Sequence, residues 1–80
     1  MDDILNKVHM ILLDNFSLDA EDIKSNSLID DGLIDSFDIV ILVENLEQNF
    51  DIEIPGEQII RSNFNSLIAI TNLIISIQQH

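Results

Sequence analysis

Apolar residues first recur at helical spacing between Asp2 and Asn15, where Ile4, Val8, Ile11 and Leu12 share one face and Phe16 extends it. Asp2 and Asp3 stand at the positive end of the dipole of this predicted helix. Asp3 precedes Lys7 by four residues, the favourable order for a weak surface pair. From Ser17 to Asp35 the period dissolves into turn and cap formers, namely Asp19, Asp22, Ser25, Asn26, Ser27, Asp30, Asp31 and Gly32. Leu18, Ile23, Leu28, Leu33 and Ile34 punctuate the same stretch, which predicts a long loop pinned to the core. A loop of that length in so small a domain is often functional. Helical spacing returns at Asp35-Ser36. Asp35 is a good N-cap residue and Asp38 lies three on, as in a weak capping box. Ile39, Leu42, Val43, Leu46 and Phe50 then form the buried stripe of a second long helix. Its other face carries Phe37, Val40, Ile41, Glu44, Glu47 and Gln48.

Asp51 to Gly56 ends that helix. Ile52 and Ile54 alternate with acids but have no evident partner strand, and Pro55-Gly56 breaks the chain. Glu57 to Arg61 allows one or two helical turns. Asn65 or Ser66 can cap a final helix with Leu67, Ile70, Ile74 and Ile77 on its inner face. The abundance of isoleucine raises a strand alternative there, but strict alternation is absent. The sum is an all-α fold, a small helical bundle of three main helices plus one short helix, with a long ordered loop between the first and second helices. One domain over residues 1–80 is expected.

Composition narrows the function classes. The chain has 15 acidic and 3 basic side chains, a formal charge of -12, and yet 46% hydrophobic residues. That is a folded acidic domain and not a disordered acidic tail. Such a surface repels nucleic-acid phosphates and anionic lipid, so no nucleic acid and no membrane insertion are expected, and basic protein surfaces are the natural partners. The absence of cysteine excludes disulfides, thiolate metal sites and a cysteine nucleophile. Met1-Asp2-Asp3 is acidic where a signal peptide is basic, and Leu67 to Ile77 is too short and interrupted to span a bilayer, so a cytoplasmic monomer is expected.

Catalytic chemistry finds little to work with. His80 is the last residue and expected to be mobile, and His9 reads as a partly exposed surface histidine beside Val8. With only Gly32 and Gly56 there is no glycine-rich phosphate loop, and no serine sits in a nucleophile elbow, so the chain does not read as an enzyme. Asp30-Asp31-Gly32 resembles part of a calcium loop. Placing Gly32 at the sixth position puts Ile29 at the third and Asp38 at the twelfth, which leaves a ligand position apolar and the bidentate glutamate missing. No metal site is expected beyond diffuse binding to the acidic surface.

What is left is the head of the second long helix. Ser36 opens it after the long loop, Phe37 flanks it away from the buried stripe, and nine acids with no Lys or Arg lie between Ser25 and Ile60. A serine on a helix N-terminus can hold a phosphodiester beside the positive dipole end. The same residues are also explained by a plain helix cap, a second buried face and a solvated acidic surface.

The run Leu33-Ile34-Asp35-Ser36-Phe37-Asp38 resembles the attachment motif of acyl carrier proteins. The resemblance continues through Leu42, Val43, Leu46, Glu47, Phe50 and Ile54-Pro55 to Phe64-Asn65-Ser66, and so covers nearly the whole chain. It implies a 4′-phosphopantetheine arm, taken from coenzyme A and attached to Ser36 by a holo-acyl-carrier-protein synthase or another phosphopantetheinyl transferase. It implies Asp35 as the motif acid. It implies acyl or aminoacyl cargo held as a thioester, and partners comprising an acyl- or aminoacyl-loading ligase and downstream acyl-processing enzymes with basic docking surfaces. Phe37, Asp38, Val40, Ile41, Glu44 and Glu47 then form the partner-binding face. Phe37 stands where the family most often has leucine, Ile41 and Glu44 look exchanged relative to fatty-acid-synthesis carriers, and Arg61-Ser62-Asn63-Phe64 is longer than the matching segment. These departures favour a specialised lipid, polyketide or aminoacyl pathway. The alternative reading is a non-enzymatic acidic helical interaction module without a prosthetic group.

Overall fold

The computed structural model describes residues 2–25 and 27–79. The turn role expected for Asn26 and the mobile end expected at His80 fall outside the described residues. The order of elements is α1 (Asp2–Asn15), α2 (Ala20–Ser25), α3 (Ser36–Phe50), a single 3-10 turn (Gly56–Gln58), α4 (Arg61–Phe64) and α5 (Leu67–Gln78). α1 packs against α3 and α5, and α4 packs against α5. Among the described residues there is no strand, and Ile52 and Ile54 lie in irregular chain.

α1 forms where the period predicts it, with Val8 and Leu12 fully buried and Ile4 and Phe16 packed at the core's edge. Its expected Asp3–Lys7 pair does not form. The Lys7 ammonium instead sits 5.5 Å from the centroid of the Phe50 ring, because a cation over an aromatic face gains more than a screened surface ion pair.

The stretch read as loop from Ser17 to Asp35 contains a helix, α2. Asp19 supplies the cap, its Oδ1 accepting from the Asp22 N–H at 2.8 Å. Glu21 and Asp22 lie in the first turn and Lys24 in the last, which matches the dipole at both ends. Only Ile23 of its six residues is buried, so no period was available to announce it. The remainder, residues 27–34, is ordered as expected. Leu28 and Ile34 are buried, and the Ile34 N–H donates to the Leu28 carbonyl at 2.9 Å. Gly32 takes φ +76°, and nothing lies within 4 Å of where its Cβ would be, so glycine serves the left-handed backbone there and not a close approach.

α3 ends at Asp51, a left-handed cap whose N–H donates to the Glu47 carbonyl. The one or two turns expected between Glu57 and Arg61 split into the 3-10 turn and α4, separated by the exposed Ile59 and Ile60. Ser66 caps α5, its Oγ accepting from the Ala69 N–H at 3.0 Å. Thr71, an interruption in the apolar run of the sequence, is fully buried on α5, and its hydroxyl donates to the Leu67 carbonyl at 2.8 Å. Buried side chains from α1, α2, α3, α4, α5 and the 27–34 segment make one cluster, with Phe64 its largest fully buried member.

The one ion pair among the described residues joins Arg61 to Asp30 at 3.2 Å on the surface. A charge of -12 therefore acts mainly as self-repulsion. Added salt is expected to raise the melting temperature as the Debye length falls from about 30 Å to about 3 Å, a trend that circular dichroism melts across ionic strength will read. A flat or falling curve would show that repulsion is not a significant part of the balance.

Candidate functional site

Ser36 is the first residue of α3, and its side chain is exposed. The turn that presents it is fixed by a reciprocal capping box. Asp35 Oδ1 accepts from the Asp38 N–H at 3.0 Å, and Asp38 Oδ2 accepts from the Asp35 N–H at 3.1 Å. The Asp35 carbonyl accepts from the Ile39 N–H at 3.0 Å. Both acids nearest Ser36 thus spend an oxygen on backbone donors, which holds the serine hydroxyl outward at the positive end of a fifteen-residue helix. Replacing Asp35 with alanine removes one arm of this box and is expected to cost about 1 kcal/mol, read as a shift of the urea midpoint at unchanged slope.

A cavity of about 360 Å³ lies directly beside Ser36. Ile29, Ile39, Ile59, Ile60 and Phe64 make its apolar wall, and Arg61 stands at its border. Arg61 and Phe64 belong to the stretch that the family resemblance sets apart as bordering an acyl pocket, whereas nothing in the sequence marks Ile59 and Ile60, which lie in aperiodic chain without a repeating signal.

The outward face of α3 is apolar at its first turns. Phe37 is 81% exposed, Val40 61% and Ile41 43%. A second buried face for these residues is thereby excluded, and with Ile59 and Ile60 they surround Ser36 with exposed hydrophobic surface. Glu44 is exposed beyond them, whereas Asp38 is half-buried in the capping box. Glu47, expected to be free for a partner, is a structural residue. Its carboxylate accepts from the Ile54 N–H at 2.9 Å and its carbonyl from the Ile52 N–H at 3.2 Å, tying the chain after α3 back onto the helix. The sequence hid this because the acceptor and its donor are seven residues apart across a turn.

Asn65 was weighed only as a cap, but Ser66 fills that role and Asn65 anchors the 27–34 segment. Its Oδ1 accepts from the Ile29 and Asp30 N–H groups at 2.9 and 3.2 Å, and its Nδ2 donates to Asp30 Oδ2 at 2.9 Å. Its carbonyl accepts from the Leu28 N–H at 2.9 Å. One asparagine thus holds the loop that leads into Ser36 against the α4–α5 junction. His9 is partly exposed, as the sequence suggests, but its Nε2 is buried with no hydrogen-bond partner among the described residues. Among the described residues no three acids, histidines or cysteines are grouped to hold a metal ion, and no helix is long and apolar enough to cross a membrane.

No family model matches the chain, and no solved structure matches it significantly. A curated protein does. The acyl carrier protein of Clostridium acetobutylicum is 46% identical over 56 residues, which span 69% of this chain and 73% of that relative. An all-helical fold agrees with that similarity, and the chain belongs to the acyl carrier protein family, whose members are carriers of acyl groups rather than catalysts.

Proposed function

We propose that this chain carries acyl or aminoacyl groups on a 4′-phosphopantetheine arm joined to Ser36, in a specialised lipid, polyketide or aminoacyl pathway. The observation that carries the proposal is the placement of Ser36. It is an exposed hydroxyl on the first residue of a capped helix, with an apolar cavity at its side. The residues present suit the group. The first-turn N–H groups of α3 that lack an intrahelical acceptor would hold a phosphodiester on Ser36 Oγ, and the helix dipole would offset part of the repulsion from Asp35 and Asp38. When bound, the arm supplies a thiol that holds the cargo as a thioester.

Loading forms a bond from Ser36 Oγ to the phosphorus of coenzyme A nearest the pantetheine. The bond from that phosphorus to the bridging oxygen breaks, and adenosine 3′,5′-bisphosphate leaves. The serine proton must go to a base. Asp35 and Asp38 are engaged with backbone donors and among the described residues no histidine lines the cavity beside Ser36, so the base is assigned to a transferase. Asp35 shapes the turn that such an enzyme reads. Phe37, Val40 and Ile41 form the apolar centre of the docking face and Glu44 contributes its charge, with Asp38 and Glu47 acting through the backbone they hold. The cavity beside Ser36 supports partial shelter of an aliphatic cargo against Ile39, Ile59 and Phe64.

The test is intact-mass measurement after incubation with coenzyme A, magnesium and a promiscuous phosphopantetheinyl transferase, followed by peptide mapping. One phosphopantetheine adduct on Ser36 is the expected result. No adduct on folded protein, with a known carrier modified in parallel, would leave the acidic interaction module as the better reading.

A further inference from the structure

A second cavity, of about 420 Å³, lies between α1, α2 and the first turn of α5, and it shares no lining residue with the one beside Ser36. Leu5, Ile23 and Leu67 give it an apolar wall, and its polar groups come from His9, Lys24 and Ser66. The charge at this place is opposite to that of the chain. Among the described residues no acid lines the cavity, whereas one of the chain's three bases does. Of the other two bases, Arg61 pairs with Asp30 and Lys7 lies over Phe50, but Lys24 has no ionic partner among the described residues. His9 Nε2 is buried without a partner among the described residues, a state that costs free energy unless a group supplies the missing bond. The first turn of α5 adds N–H groups with no intrahelical acceptor and the positive end of a twelve-residue dipole. Ser66 Oγ already accepts from Ala69, which leaves its hydroxyl hydrogen to donate.

Donors on an apolar wall select an occupant with an apolar body and an anionic, acceptor-only end. We propose that this cavity binds an aliphatic carboxylate, with the chain against Leu5, Ile23 and Leu67 and the carboxylate at Lys24, His9 in its Nε2–H tautomer and the first turn of α5. A cation is opposed by Lys24 and the helix dipole, and a small inorganic anion leaves the apolar wall wet. On the carrier reading such an acid is what hydrolysis of the cargo thioester releases, so the site would sense spent product. The binding itself needs only the cavity, and its test uses the chain without a prosthetic group, so the two readings fail separately.

The experiment is an amide chemical-shift titration of the full chain with octanoate, octanol and acetate, each kept below any micelle-forming concentration. Octanoate is expected to give saturable shifts at Leu5, His9, Ile23 and Ile68 while Ile39 and Ile60 stay still. Octanol binds more weakly, and acetate does not bind. Lys24→Gln, an exposed change outside the core, lowers octanoate affinity about fivefold and leaves octanol unchanged. No saturation at α1, α2 and α5 overturns the proposal. So do shifts confined to the cavity beside Ser36, equal affinity for octanol and octanoate, or a Lys24→Gln chain that binds octanoate as the parent does.

Discussion

Ser36→Ala is expected to give a fully folded chain that accepts no phosphopantetheine from any transferase. The loss is complete and not graded, because the Oγ that forms the new bond to phosphorus is the atom removed. Folding survives for reasons visible in the geometry. Ser36 is exposed, its side chain makes no hydrogen bond among the described residues, and the cap is built by Asp35 and Asp38 on either side of it. Alanine also has the highest helix propensity, so stability should stay within about 0.5 kcal/mol of the parent. Intact mass reads the first half of this expectation and a denaturant curve the second. An adduct on the alanine variant would move the attachment site elsewhere. Loss of the adduct together with loss of structure would mean that the serine holds the fold and that the transfer assay says nothing about attachment.

Asn65→Ala is the change expected to weaken the fold most among those that leave the hydrophobic core intact. It removes the acceptor for Ile29 and Asp30 and the donor to Asp30 in one step. The Ile29 bond is partly buried, so its N–H loses a partner where water reaches it poorly. The Asp30 bonds are exposed and water replaces them at little cost. We expect a loss of about 2 kcal/mol, most of it from the Ile29 N–H. In a domain of this size that is a large fraction of the total and lowers the melting temperature by about 10 °C. Asn65→Asp separates the two halves of the role. It keeps an oxygen for the loop N–H groups but sets a second carboxylate against Asp30, so its deficit should shrink with added salt while that of the alanine variant should not. An alanine variant within about 0.5 kcal/mol of the parent would show that Leu28 and Ile34 alone pin the loop.

The sequence by itself determined the three long helices and the Asp35–Asp38 cap, while the candidacy of Ser36 came from a family resemblance that runs along nearly the whole chain. The helices and the cap are a local matter. A 3.6-residue period needs only neighbours within a few turns, and a capping box spans four residues. It also determined that the 17–35 stretch would be ordered, through Leu28 and Ile34, but not that Asp19 starts a helix there, since one buried isoleucine in six residues carries no period. Only the tertiary structure decided the rest. Phe37, Val40 and Ile41 could have been a second buried face, and their exposure depends on what the bundle places opposite α3. Glu47 and Asn65 looked like a surface acid and a helix cap. Their side chains' partners are seven and as many as thirty-six residues away, and no local pattern records who arrives there. Both cavities are of the same kind. Their walls are assembled from separate elements whose side chains meet only after packing, so the space beside Ser36 and the donor-lined cleft at Lys24 exist in the fold and nowhere in the order of the residues.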